Sequence, residues 1–544
     1  MSLPRLRAPA GDGELLAHPP LADLGSRLAG NRALLANNRI QIGGMPLAEV
    51  RRSAVGEMAE AARRYLASAG EPVPDLSAES LLVAGHQPDL FHAGVWLKNF
   101  ALNSLAREHG AAPLNLVVDN DTVKSTAVRL PVVGDHCHPE VVHLASVPYD
   151  QFAGEIAFEE RTVHDEATFA AFPRAVGERT RNWPFAPILE PFWNDVVRQP
   201  TPLLGERFAA ARRTWERRWG CQNLELPISH LCRTAAFARF GVGLLADLPE
   251  FHATYNDCVR DYRRRHRIRS ANHPVPDLHR DGDWLEAPFW AWRVGGQRRG
   301  RLFVRAAAGG WRLRINDESW PDLPRATACQ RWQQMDGNGY KIRTRALTTT
   351  LFARLCLADL FIHGIGGGKY DELTDAIIAR HFRLQPPAFL VLTGTLRLPL
   401  PGYDADADDE RGAWRLVRDI HWNPQRHLPA DAEDWQEMAE AREELTRDGG
   451  TAWRKQRFRE LRRLTDRLRT PVRQMEAAAR QRAERVSLEV AANAVLQRRD
   501  YAFCLFPESK LRPFVAQFQA SRTSEPQALA VVGEDRRCPS GSDC

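Results

Sequence analysis

Residues 81–121 read LLVAGHQPDLFHAGVWLKNFALNSLAREHGAAPLNLVVDND, and this stretch decides the fold class. Leu81-Leu82-Val83-Ala84 is a short apolar run halted at Gly85, which predicts a buried strand. A helix is predicted over Trp96–Glu108, and Pro113–Val118 is a second buried strand that ends at Asp119-Asn120-Asp121. Strand, helix and strand within about forty residues make a βαβ unit and imply a parallel sheet. Ligands of such sheets lie outside the carboxyl ends of the strands. Gly85-His86-Gln87 and Asp119-Asn120-Asp121 both fall at such ends, which makes them the first candidate site.

Outward from this unit, residues 1–75 read as mostly helical, with apolar residues at helical spacing over Leu47–Ala69. Residues 76–200 and 341–428 are expected to form a discontinuous α/β core. Between them, 201–340 reads as an insertion of Arg-rich helices followed by a three-strand meander with turns at Gly295-Gly296 and Gly309-Gly310. In the second core segment an apolar helix, Leu351–Phe361, is expected to run into the glycine loop His363–Tyr370. A helix over Asp371–Phe382 and a strand over Pro387–Leu392 follow. Residues 429–500 carry Phe458, Leu461, Leu464, Leu468, Val472, Met475, Ala479, Ala483, Val486 and Val490 at alternating spacings of three and four. That near-heptad seam predicts coiled-coil helices, kinked or divided at Pro471. Residues 501–520 return to the core, and the polar 521–544 are expected to be disordered.

At 544 residues the chain is long enough for several units, and 44% apolar with 26% charged residues is ordinary globular composition. No apolar run approaches the length of a membrane span, and Met1–Asp12 lacks the apolar stretch of a signal peptide. The nine cysteines are scattered without a Cys-x-x-Cys pair, which points to a reducing compartment and a cytoplasmic protein. The net charge of +6 is a mild excess. The basic runs Arg260–Arg269 and Arg454–Arg469 read as solvated helix faces, so nucleic acid is not an expected partner.

Of 74 basic residues only six are lysine: Lys98, Lys124, Lys341, Lys369, Lys455 and Lys510. Positions that want only a positive charge have been filled with arginine. The remaining lysines are therefore candidates for sites needing a compact ammonium. Lys369 closes the run Gly364-Ile365-Gly366-Gly367-Gly368, whose amides and cation suit phosphate or carboxylate, although neither a Walker A nor a dinucleotide pattern is present. His86 and His92 could move protons near neutral pH. Asp119 and Asp121 could orient an amine, hold a cation or cap a helix. His136-Cys137-His138 is read as chance, and no metal site is assigned.

Gly85-His86-Gln87-x-x-Leu90-Phe91 resembles the Gly-Gln-Gln-x-x-Leu-Phe signature of the bacillithiol-synthesis cysteine-adding enzymes. Asp119-Asn120-Asp121 resembles that family's Asp-His-Asp, and Arg345-Ala346-Leu347 its Arg-Pro-Leu. Phe361 to Tyr370 resembles its glycine-rich Tyr-Ile-Gly-Gly-Pro-Gly segment, and Leu505–Leu511 its C-terminal Leu-Phe-Pro-x-Gly-Lys-Leu. The order of the five segments agrees across some 430 residues.

The resemblance implies a Rossmann-like core, an antiparallel coiled coil that pairs two copies as a homodimer, and a ligase that joins the carboxyl of cysteine, or another amino acid, to an amino-sugar amine. It implies a small-molecule substrate; activation of a carboxyl group normally needs ATP, so ATP or ADP is the candidate cofactor, but the sequence shows no standard ATP motif and the energy source stays open. On this reading His86, Asp119, Asp121 and Lys369 carry catalysis. Gly85, Gln87, His92, Lys98, Asn120, Arg345, Gly364, Gly366, Gly367, Gly368, Tyr370 and Lys510 bind substrate or nucleotide. His86 replaces the family's Gln, Val118 its Glu, and Gly367 another Glu. The loss of carboxylates beside Lys124 and Lys369 implies a divergent member with a more anionic ligand. The alternatives are a nucleotide-binding transferase on the same scaffold and a non-catalytic dimeric scaffold.

Overall fold

The computed structural model describes residues 6–518 except 77–78, 135–137, 297–298, 430–431, 433–434 and 448–453. The expected disorder of 521–544, the His136-Cys137 pair and the glycines at 449–450 lie outside the described residues.

The main sheet is built from β1 (Leu15–His18), β2 (Leu81–His86), β3 (Ala112–Val117), β4 (Leu224–Pro227), β5 (Leu360–His363) and β6 (Phe389–Gly394). Their order is β1-β6-β5-β2-β3-β4. All are parallel except β1, which pairs antiparallel on β6. The chain runs outward from β2 through β3 to β4. It then returns to the other side of β2 for β5 and continues to β6. The direction of winding therefore reverses between β2 and β5, where Leu82 faces Leu360 and Ala84 faces Ile362. At that reversal the connections leave β2 and β5 toward opposite sides and open a crevice at the carboxyl edge.

Alternation along β2 explains why both faces are covered. Leu81 and Val83 enter one apolar cluster with the Leu47–Ser68 helix, whereas Leu82 and Ala84 enter another with the Ala93–Glu108 helix. Strands buried on both faces become continuous apolar runs, as LLVA does. The second cluster is aromatic. Trp96 is fully buried against Trp219 and Phe503, and its indole N–H donates to Glu216 Oε1 at 2.8 Å. Burial of such a side chain contributes roughly 2–3 kcal/mol.

The antiparallel sheet has the order Glu318–Pro324, Gly310–Ile315, Gly300–Ala307, Trp284–Arg293, Tyr340–Thr344, with Arg280–Asp281 pairing beside Trp284–Arg293. It is larger than the three-strand meander expected from the sequence. Its last strand, Tyr340–Thr344, falls in the segment assigned to the core. Conversely β4, inside the expected 201–340 insertion, is a strand of the main sheet.

Three further expectations change. The segment 1–75 holds the helices Leu24–Ala36 and Leu47–Ser68, and before them Leu15–His18, which is the main sheet's antiparallel edge and was not expected. The helix expected over Leu351–Phe361 ends earlier, and Leu360–His363 is β5. A four-residue strand running out of an apolar helix leaves no change in pattern to read. Finally, Pro471 lies inside one continuous helix, Arg454–Leu496. This long helix packs antiparallel on Ala407–Trp422 of the same chain, with Glu410 and Trp414 meeting Ser487 and His421 meeting Glu476. Leu464, Leu468, Val472 and Ala483 of the seam are buried, while Phe458 and Met475 are exposed. Among the described residues no helix is long and apolar enough to cross a membrane.

Candidate functional site at the carboxyl edge of the sheet

Gln87 and Asp121 stand one or a few residues beyond the carboxyl ends of β2 and β3. Gln87 Nε2 donates to Asp121 Oδ2 at 3.0 Å. Asp121 Oδ1 accepts from Thr122 N at 2.9 Å and from Arg299 Nη2 at 3.1 Å. Burial works to raise the Asp121 pKa, but the bonds from Gln87 and the Arg299 charge hold it below the usual carboxylate range. Arg299 comes from the antiparallel insertion and also donates to Asn120 O at 2.7 Å.

These groups line a cavity of about 240 Å³ between the sheet edge and the insertion, together with Trp290, Tyr255, Thr344 and Arg345. The Arg345 guanidinium stands 4.3 Å from the Trp290 ring centroid and that of Arg299 4.9 Å. Arg345 Nη2 is held by Glu286 Oε1 at 2.6 Å. Asn120 is 3% exposed and gives its Nδ2 to Thr344 O at 2.8 Å, leaving Oδ1 buried without a hydrogen-bond partner. Arg345 Nε is likewise buried and unpartnered. A buried polar atom without a partner costs free energy, and both of these atoms belong to residues that line the cavity.

Asp119 does different work from Asp121. It accepts from Ser229 N at 2.9 Å and from Ser229 Oγ, which ties the end of β3 to the Ile228–Leu231 turn after β4. Burial, then the Glu159 charge, raises its pKa to about 7. It does not line the cavity.

His86 ends β2. Its Nδ1 lies 3.2 Å from Gln87 O, an acceptor, so Nδ1 carries the proton and Nε2 is the free acceptor. Burial, then the Lys98 charge, lowers its pKa to about 3. The imidazole is therefore neutral at pH 7 and a weak base, which is a poorer proton shuttle than the sequence suggests. His92 caps the Ala93–Glu108 helix, and burial with the Arg499 and Lys98 charges lowers its pKa to about 4. Lys98, on the same helix, sends Nζ toward Gly85 O at 3.4 Å. The C-terminal segment closes over this turn: Phe503 N donates to Phe91 O at 2.8 Å, and Ala502 bridges His92.

The glycine run is not a loop. Gly364 caps a helix that spans Ile365–His381, so Gly366, Gly367 and Gly368 lie within its first turns. Lys369 and Tyr370 are exposed, and the Lys369 carbonyl accepts from Tyr262 Oη at 3.2 Å. The glycines, taken in the sequence as a break before Asp371, instead allow close packing: a Cβ at Gly368 would lie 2.6 Å from Val391 Cγ2. Lys510 pairs with Asp12 at 2.6 Å, and neither lines the cavity.

Four residues missed by sequence reasoning belong to this edge. Arg299 and Trp290 sit in an insertion that pattern reading set apart from the core. Arg499 donates from Nη2 to Thr393 Oγ1 and Gly394 O at 2.9 and 2.8 Å beyond β6. His363 ends β5 and its Nε2 lies 2.9 Å from Asp371 Oδ2, which Arg354 also binds at 2.7 Å. The Arg354 and His363 contacts hold Asp371 well below the usual carboxylate range against the effect of burial.

Among the described residues no group of three or more His, Cys, Asp and Glu side chains is arranged to hold a metal ion. No protein-family model matches this chain, and no curated protein does.

Proposed function

We propose that this chain is a carbon–nitrogen ligase on a Rossmann-like scaffold, a divergent relative of the bacillithiol-synthesis cysteine-adding enzymes, joining an amino-acid carboxylate to an amino-sugar-type amine. The observation that carries the reading is convergence. Gly85–Phe91, Asp119–Asp121 and Arg345–Leu347 are far apart in sequence, yet Gln87, Asn120, Asp121, Arg345, Ala346 and Leu347 line one cavity.

On this reading the unpartnered Asn120 Oδ1 and ionised Asp121 receive the amine, and Arg345, with its free Nε, receives a carboxylate. His86, held neutral, accepts a hydrogen bond through Nε2. Lys369 stands exposed on the first turns of its helix and does not line this cavity, so no contact in it is assigned to Lys369. ATP is the expected source of carboxyl activation, and no residue geometry is assigned to it. Pairing of two copies through the long helix belongs to the same proposal.

The test is incubation of the full chain with cysteine and other amino acids, glucosaminyl-malate and phosphorylated amino sugars, with and without Mg-ATP, with products weighed by mass spectrometry. A product equal in mass to the two substrates less water, lost in Asp121→Asn and Arg345→Met, is expected with an amine more anionic than glucosaminyl-malate. Absence of any condensed product, or unchanged turnover in both variants, would overturn the reading.

A further inference from the structure

The chain has two buried lysines of opposite circumstance. Lys341 is held by Glu159 and Glu160 at 2.9 and 2.8 Å. Lys98 is 4% exposed and has one acceptor in reach, the Gly85 carbonyl at 3.4 Å. Among the described residues no carboxylate lies within ion-pair distance of it. Burial lowers its pKa to about 8, so it remains mostly charged at pH 7. A buried ammonium with unfilled donors is costly unless something anionic completes it.

The imidazoles of His86 and His92 near Lys98 are neutral at pH 7, and both feel its charge. His92 feels Arg499 and, with opposite effect, Asp500, which also acts on Arg499. Arg499 binds only neutral oxygens, Thr393 Oγ1 and Gly394 O, and its Nε is buried without a partner. His92 Nδ1 is a second buried atom without a partner. Asp500, the nearest carboxylate in sequence, is taken by Arg498 at 2.7 Å and Arg129 at 3.3 Å.

The backbone adds donors at the same place. The 16-residue Ala93–Glu108 helix starts after His92; Val95 N already donates to His92 O at 2.9 Å, and the amides of Ala93 and Gly94 precede the first i−4 acceptor. A Cβ at Gly94 would lie 2.1 Å from Gly394 O, so only glycine lets this helix end pack on the backbone at the end of β6, and Arg499 Nη2 lies beside it at 3.0 Å.

We propose that Lys98, His92, Arg499 and the start of the Ala93–Glu108 helix form an oxyanion site for a phosphoryl group, separate from the cavity lined by Arg345. A tetrahedral dianion has enough acceptor oxygens for an ammonium, a guanidinium edge, an imidazole N–H and helix amides together. The site requires nothing of the ligase chemistry and would stand if that reading failed.

The experiment is thermal unfolding and phosphorus NMR titration of the full chain with inorganic phosphate, pyrophosphate and AMP, at ionic strength matched with chloride. Wild type, Lys98→Met, Arg499→Met and Arg345→Met are compared. Saturable stabilisation of wild type and Arg345→Met is expected, with the phosphate Kd weakened about tenfold or more in Lys98→Met and Arg499→Met. In chloride alone Lys98→Met should melt above wild type, since it removes an unpaired buried charge. Tighter binding of AMP than of phosphate would assign the group to a nucleotide, and equal binding to another phosphorylated ligand. Both outcomes support the site.

No response in wild type, or an undiminished response in both variants, would overturn it. A Lys98→Met protein less stable than wild type in chloride would mark the ammonium as a structural donor to Gly85 and overturn it also. Should that variant not fold, Arg499→Met and the wild-type NMR titration decide alone.

Discussion

Arg299 reaches Asp121 across 178 residues of sequence, with Nη2 3.1 Å from Oδ1. The contact clasps the antiparallel insertion to the edge of the parallel sheet and places a cation over the cavity. Both side chains are partly solvent-accessible, so the pair is worth far less than its bare Coulomb attraction. A double-mutant cycle with Arg299→Met and Asp121→Asn, read by urea unfolding at pH 7, should give a coupling of about 1 kcal/mol. Zero coupling would show that the insertion is held without this pair.

Asp119 predicts an unusual pH dependence. Its folded pKa of about 7 is above its unfolded value, so the fold binds a proton that the unfolded chain releases. Stability from this group is full below the unfolded pKa near 4 and is lost as pH rises through about 7. Asp119→Asn keeps an acceptor for Ser229 N and removes the titration. It should therefore be more stable than wild type at pH 8, on the order of 2 kcal/mol, with the advantage shrinking toward pH 4. Calorimetric melts at both pH values check this, and an advantage independent of pH would contradict it.

The parallel sheet was legible because LLVA and PLNLVV are buried on both faces and end in polar clusters, and the structure keeps those bounds to within two residues. The strand Leu360–His363 was not legible, since it is only four residues long and the single polar residue Asp359 parts it from the apolar helix before it. Leu15–His18 was hidden likewise: an edge strand of four residues, LLAH, offers too few alternations to count. At the site, Gln87, Asn120, Asp121 and Arg345 could be found because strand ends are where ligands bind. Arg299 and Trp290 could not, because nothing local shows that an insertion folds back over the core. The helical course of the glycine run was hidden for a physical reason. Consecutive glycines have poor helix propensity, and tight packing of Gly368 on Val391 overrode it.

The long C-terminal helix separates seam residues that carry packing from those that do not. Leu468 is fully buried, and Leu468→Ala should cost about 2–4 kcal/mol. Phe458 is 65% exposed, so Phe458→Ala should change the stability of the isolated protomer by no more than about 0.5 kcal/mol. Urea unfolding at low protein concentration measures both. If Phe458→Ala becomes costly only as concentration rises, Phe458 lies in the contact between two copies, in line with the proposed homodimer.

Gly366 and Gly367 are neighbours on one helix with opposite expected responses to the same change. Alanine in place of an unstrained helical glycine stabilises by about 0.5–1 kcal/mol. A Cβ at Gly366 meets nothing within 4 Å, so Gly366→Ala should gain that amount. A Cβ at Gly367 would lie 2.7 Å from His363 Nδ1. The imidazole cannot easily yield, because its Nε2 is held by Asp371, itself fixed by Arg354. Gly367→Ala should therefore destabilise by about 1–3 kcal/mol, as overpacking does. Placed on a His363→Ala background the same substitution should turn stabilising, because the obstructing ring is gone while the helix preference remains. Thermal melts of the four single and double variants measure the reversal. A Gly367→Ala protein as stable as Gly366→Ala would mean that the His363 ring is free to turn away from Asp371, and that the hydrogen bond between them does not fix its orientation.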